Sequence, residues 1–214
     1  LFVQDLAFKV GTTLLFITVL VLGLYWCKRL SIKVGDTKLN RLSYFWLSKV
    51  VLTVIILFAG WTPLLDPSSE GWGYDPQRYY FQSMELVENN WIFLGGLNYI
   101  GILYYYGLIF YVFGHNPLVA ALFNSIVTWT ALLSLIGYMY ILFPNKTTSH
   151  WKLSWVILIP EILWFDVLTS RETLIGSLLI FSFTALGRLF LKVGGKYISL
   201  LTFITSLLLI AAVR

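Results

Sequence analysis

Six apolar runs, each near the length of a bilayer crossing, decide what this chain can fold into. They fall at about 7–26, 43–63, 117–143, 152–169, 172–191 and 197–213. A helix needs ~20 mostly apolar residues to cross the hydrocarbon core. The runs show no period-two alternation, which argues against a β-barrel. Of the 214 residues, 58% are hydrophobic and 12% charged, whereas soluble domains carry about 25% charge. The expected fold class is therefore an all-α integral membrane protein. It should have about six transmembrane helices and one large outer loop carrying juxtamembrane helices.

A net charge of +5 does not point to nucleic acid here, because the cations sit in short clusters between apolar runs. That is the pattern of cytoplasmic loops, where Lys and Arg resist translocation. Residues 27–41 hold Lys28, Arg29, Lys33, Lys38 and Arg41 against Asp36 alone. Residues 144–152 hold Lys146 and Lys152, and 188–196 hold Arg188, Lys192 and Lys196. Cys27 is the single cysteine, so there is neither a disulfide framework nor a cysteine metal site. His115 and His150 lack ligand-spaced partners.

If the three basic clusters share a side, an even number of crossings must join 27–41 to 144–152. The runs 43–63 and 117–143 supply two. The stretch 93–113 is apolar but holds four glycines, Asn98 and five tyrosines, and tyrosine favours the interface. It is read as a juxtamembrane or re-entrant element on the outer face. The N-terminus is then outside, and 64–116 form one outer loop with Asp66, Glu70, Asp75, Glu85 and Glu88 against Arg78. Asn145-Lys146-Thr147 is a formal glycosylation sequon that this topology leaves on the cytoplasmic side. Pro160, inside a run, should kink or break its helix.

Within that loop, DPQRYYFQSMELVENN at 75–90 opens as helices do, with Asp75 as N-cap and Pro76 at the first helical position. Tyr80, Met84 and Val87 fall on one face, and Arg78, Gln82, Glu85 and Asn89 on another. The spacing predicts a short amphipathic helix on the membrane surface. Asp75 near the bilayer, beside Tyr79 and Tyr80, is either a helix cap in an interfacial aromatic belt or a reactive carboxylate.

A second polar site is expected on the same side. WVILIPEILWFDVLTSRETL at 155–174 puts Glu161 and Asp166 inside an apolar run, then Ser170, Arg171 and Glu172 at a turn. Ionisable groups in a membrane are costly and usually face a protein interior or a wet cavity. Asp166 and Arg171 either neutralise each other or flank a cavity where Arg171 binds phosphate as a forked donor. Ser170 is expected to cap the next helix, with Glu172 favoured by its dipole.

The order of these segments resembles the GT-C membrane glycosyltransferases, the class of the polyprenyl-phosphate-sugar-dependent mannosyl- and arabinosyltransferases. It is carried by YDPQRYY, then by a tyrosine-rich stretch leading into FGHNPLVAALFN (Tyr104 to Asn124), then by IPEILWFDVLTSRETL. The likeness covers roughly 43–190. Residues 1–42 read as an extra N-terminal helix with a basic cytoplasmic loop, and 43–214 as a GT-C-like core expected to be C-terminally incomplete. Many members pair two acids in the loop, whereas here Asp75 stands alone, five residues after Glu70.

The resemblance implies an enzyme that moves a sugar from a polyprenyl-phosphate donor to a glycan, lipid or protein acceptor on the extracytoplasmic face of a plasma or inner membrane. Asp75 would be the general base. Arg171 and Glu172, with Arg78, Tyr79, Tyr80 and Glu161, would bind donor phosphate and substrate. The cation near the departing phosphate would be Arg171 or a divalent metal, Mg or Mn, with Asp75 and Glu172 as its candidate ligands, and further membrane subunits would be partners. The alternatives are a polysaccharide-repeat polymerase or ligase, a non-catalytic membrane subunit, and a transporter.

Overall fold

The computed structural model describes residues 2–61, 75–92, 100–144 and 150–213. Asp66, Glu70, Asn98, the sequon at Asn145 and Lys146 lie outside the described residues, as does the side chain of Asp75. The described residues form helices and no strands. The α-helices are α1 (Phe2–Val34), α2 (Leu42–Ile56), α3 (Asp75–Glu88), α4 (Ile100–Phe113), α5 (Pro117–Leu142), α6 (Pro160–Val167), α7 (Arg171–Phe190) and α8 (Lys196–Val213).

Five of the helical segments are long and apolar enough to cross a membrane: 10–34, 37–59, 117–142, 171–190 and 196–213. The chain is thus built as a multi-pass membrane protein. The sixth expected run, 152–169, is not one α-helix. It is a 3-10 segment, His150–Leu158, followed by α6. Ile159 is extended (φ −62°, ψ 129°) and Pro160 opens α6. A proline cannot donate to the preceding turn and crowds it, so the break falls where Pro160 predicts it.

The first boundary also moves. The span at 7–26 was expected to give way to a loop, yet α1 continues to Val34. Nothing in CKRLSIKV breaks a helix until Gly35, which adopts φ +77°. Lys28, Arg29 and Lys33 therefore ride on the last turns of α1.

α5 is the hub. Two thirds (67%) of its apolar window is buried inside the protein, against 17% for α8. It packs on α1, α2, α6 and α7, and Asn116 caps it by accepting from the Leu118 amide at 2.9 Å. Trp46 of α2 stacks on Trp129 of α5 at 5.4 Å and donates from Nε1 to the Leu20 carbonyl of α1 at 3.2 Å. Gly23 lets that indole lie against α1, since a Cβ there would collide with the ring. α8 lies along α7 and turns most of its surface outward, with Tyr197, Ile198, Leu201 and Leu208 exposed, as a lipid-facing helix would.

The polar helix forms where expected, as α3. Its buried stripe is Tyr79, Tyr80, Ser83 and Leu86, one step from the predicted face, with Met84 and Val87 half-buried. Arg78, Glu85 and Asn89 are exposed. The stripe packs on α4, so the apolar face meets protein as well as any membrane. α4 has 14 residues, about 21 Å at ~1.5 Å each, which is short of a crossing. It ends at Gly114, φ +87°.

Candidate functional site

The interruption at Leu168–Ser170 between α6 and α7 creates the polar centre of the molecule. Where a chain leaves helical geometry, its last carbonyls lose their intrahelical partners. In a packed interior no water replaces them, so protein must. Here side chains from three helices do so. Asn124 of α5 donates from Nδ2 to the carbonyls of Asp166 (3.1 Å) and Leu168 (2.9 Å). Tyr106 of α4 donates to the Ser170 carbonyl at 3.1 Å and lies 3.1–3.2 Å from the Asn124 amide. Thr173 of α7 donates to the Phe165 carbonyl at 2.8 Å.

Beside the break sits an ion pair. Lys49 Nζ of α2 contacts Asp166 Oδ2, and both side chains are wholly buried. The Thr128 hydroxyl lies 3.3 Å from the same oxygen, and Thr53 and Ser125 share a hydrogen bond of 3.1 Å. Asp166 was expected either to neutralise Arg171 or to flank a cavity with it. The structure pairs Asp166 with Lys49 instead, because α2 packs on α6 and Lys49 points into that seam. Asp166 Oδ1 has no hydrogen-bond partner. Asp166 also lines a cavity of about 220 Å³ bounded by Thr128, Ile162, Phe165, Thr173 and Glu172, whose exposed lining is almost all apolar.

Arg171 and Glu172 open α7. The Arg171 Nε stands 3.5 Å from Glu172 Oε1, and the two side chains are 32% and 51% exposed. Ser170 holds the N-cap position (φ −118°, ψ 154°) but makes no capping bond. Its hydroxyl is buried and unpartnered, against the expectation that it caps. The first N–H groups of α7 are thus left without that acceptor. Glu161, in the first turn of α6, is exposed.

Tyr79 is fully buried and Tyr80 nearly so, both in the α3–α4 interface. Tyr80 donates to the His115 carbonyl at 2.8 Å, and burial pushes its phenol up to about 12, so it stays neutral. In this arrangement the two tyrosines brace α3, and neither ring is open to stack on a sugar. Arg78, on the opposite face, is exposed.

The structure therefore brings Tyr106 of α4, Asn124 and the start of the Ser170–Glu172 turn together. Asp75 stands at the head of α3, which packs on α4. Lys49, Tyr106, Asn124 and Thr128 were not anticipated. Lys49 had a signal, as a lone charge inside the apolar run 43–63. Tyr106 and Asn124 lie near the two ends of the Tyr104–Asn124 segment that carries the family resemblance.

The described residues hold no group of three or more His, Cys, Asp or Glu side chains suited to a metal, and Glu172 already faces Arg171. The side chain of Asp75, the other candidate ligand, lies outside the described residues, and no step below is routed through a metal. Comparison with protein-family models, curated proteins and solved structures finds no match to this chain.

Proposed function

We propose that this chain is a membrane glycosyltransferase that moves a sugar from a polyprenyl-phosphate donor to an acceptor hydroxyl on the extracytoplasmic face. The observation that carries this reading is the uncapped start of α7. Ser170, Arg171 and Glu172 leave a helix N-terminus without a side-chain cap, next to a guanidinium and at the rim of an apolar cavity. A helix N-terminus favours an anion, and arginine adds a fork matched to phosphate. Tyr106 ties that turn to α4, and α4 carries the helix that begins at Asp75.

On this reading the prenyl chain lies against apolar helix surfaces and the phosphate rests at the α7 N-terminus. Asp75 takes the proton of the acceptor hydroxyl as its oxygen attacks the anomeric carbon, a contribution of ~10²–10⁴-fold. The lipid phosphate departs with the bonding electron pair, and Arg171 stabilises the charge that develops on it.

Sugar transfer by the full chain in vesicles, with radiolabelled polyprenyl-phosphate sugars, tests the proposal. Asp75→Asn should cut transfer at least ~100-fold with membrane insertion unchanged, and Arg171→Ala should weaken donor use. Transfer that survives Asp75→Asn would reduce Asp75 to a helix cap. An oligosaccharide-lipid requirement would move the assignment to a polymerase or ligase.

One observation favours a second reading, a proton-coupled transporter. A buried Lys–Asp pair beside a broken helix is an arrangement of transport proteins. Substrate flux in sealed vesicles that collapses with Asp166→Asn, in a protein without transferase activity, would select it.

A further inference from the structure

The other end of the bundle carries a polar site that the reading above does not use. Arg29 and Lys33 lie about one turn apart near the end of α1. Arg188 sits in the last turn of α7, about 25 Å along that helix from Arg171 at ~1.5 Å per residue. The three cations line one cavity of about 550 Å³ between α1, α5 and α7, with Trp26, Leu30 and Leu133 as its apolar wall. A neighbouring cavity of about 280 Å³ shares Lys33 and Arg188 and extends past Gly137 and Tyr140. Gly137 lies at the edge of this space, where a Cβ would meet the Leu30 Cδ1 methyl at 3.3 Å.

Among the described residues these cations have no carboxylate partner. Among the described residues the carboxylate ion pairs are Lys49–Asp166 and Arg171–Glu172. Asp36, the acid that follows α1, is engaged elsewhere. It accepts from the Tyr140 hydroxyl at 2.6 Å and from the Lys38 amide at 2.8 Å. Arg188 Nε is buried with no hydrogen-bond partner, and an unmade bond at a buried charged donor is costly. Two guanidinium groups and an ammonium around an apolar-walled cavity match a phosphate attached to a hydrophobic chain.

We propose that this cavity binds the phosphate of an anionic amphiphile, held by Arg29, Lys33 and Arg188, with its apolar part against Trp26, Leu30 and Leu133. The site stands apart from the proposed transferase site, so either can fail alone. The same cradle would take a free phosphate compound, and the test separates the two sources.

The full chain is reconstituted in nanodiscs of phosphatidylcholine containing a minor fraction of phosphatidylglycerol. Lipid retained after release is counted by native mass spectrometry, with and without inorganic pyrophosphate. Wild type should retain phosphatidylglycerol in preference to phosphatidylcholine. Arg188→Gln, and Arg29→Gln with Lys33→Gln, should each lower that retention roughly ten-fold or more, the scale of a lost charge-assisted hydrogen bond. Lys192→Gln, an exposed cation just past α7, should leave it unchanged. Retention that persists against pyrophosphate assigns the headgroup, and displacement by pyrophosphate assigns a soluble phosphate. Equal retention of both lipids by wild type, without pyrophosphate binding, overturns the proposal. So does a loss in Lys192→Gln as large as in Arg188→Gln. Should Arg188→Gln fail to fold, the more exposed Arg29 and Lys33 pair decides.

Discussion

Removing Lys49 or Asp166 singly should damage the fold far more than removing both. Lys49 lies at the middle of the apolar stretch 37–59, and neither it nor Asp166 has any exposed side-chain surface. Lys49→Met strands a carboxylate in a dry interior, and Asp166→Leu strands an ammonium. Breaking a buried pair by one partner costs ~3–5 kcal/mol, whereas replacing both by apolar residues is often neutral. The double variant leaves little unsatisfied, because the Thr128 hydroxyl keeps the Asn124 and Ser125 carbonyls, each at 3.1 Å. With ~3 kcal/mol for each single change and ~1–2 for the double, the coupling is about 4–5 kcal/mol, above the range usual for contacting residues. Unfolding by dodecyl sulfate in mixed micelles, followed by circular dichroism, gives all four corners of the cycle. Single variants within ~1 kcal/mol of wild type, or a double variant as unstable as the two singles added, would refute the reasoning.

Two further outcomes follow from the same geometry. Tyr106→Phe removes the donor to the Ser170 carbonyl and a partner of Asn124, so stability should fall by ~1–3 kcal/mol in the same unfolding assay, and sugar transfer should fall with it. The hydrogen bond from Tyr140 holds the Asp36 carboxyl below its ordinary range, with the Lys38 amide adding to the effect. A depressed carboxylate stabilises the fold above its unfolded value, ~3.9, and loses that contribution as pH falls through the folded value. Wild type and Tyr140→Phe should therefore differ in melting temperature at pH 6 by an amount that shrinks toward pH 3; a constant gap would remove Asp36 from the account.

The helical class and five of the six expected spans were legible because hydrophobic length is a local property of the sequence. Pro160 marked the sixth as broken for the same reason. The end of α1 was misjudged because charge suggests a loop, while a helix ends only where its backbone must. Lysine and arginine are good helix formers, and Gly35 supplies the stop. The partner of Asp166 was not legible. Arg171 is five residues away in sequence and Lys49 is 117, and proximity along the chain favoured the wrong cation. Only the packing of α2 on α6 decides between them. Ser170 has the residue type of an N-cap, yet its carbonyl is held by Tyr106 and its hydroxyl turns into the interior. Cap identity is local and cap geometry is not.

The helix break, the ion pair and the candidate phosphate site are mechanically one unit. A chain cannot leave helical geometry within apolar surroundings unless neighbouring groups satisfy its carbonyls, and here Asn124, Tyr106 and Thr173 do so from three different helices. Those bonds fix where α6 stops, and so fix the direction in which Arg171 starts α7. Lys49 then holds α6 against α2 from the other side, through Asp166. Each tie draws on a different helix, so loss of any one should loosen the α7 N-terminus while leaving Arg171 itself intact. If Arg171 presents its guanidinium to a phosphate, as proposed, such bracing matters, because a misplacement of about 1 Å can cost a reaction ~100-fold. On the proposed reading, Asn124, Tyr106, Thr173 and the Lys49–Asp166 pair serve as supports for the Arg171 turn.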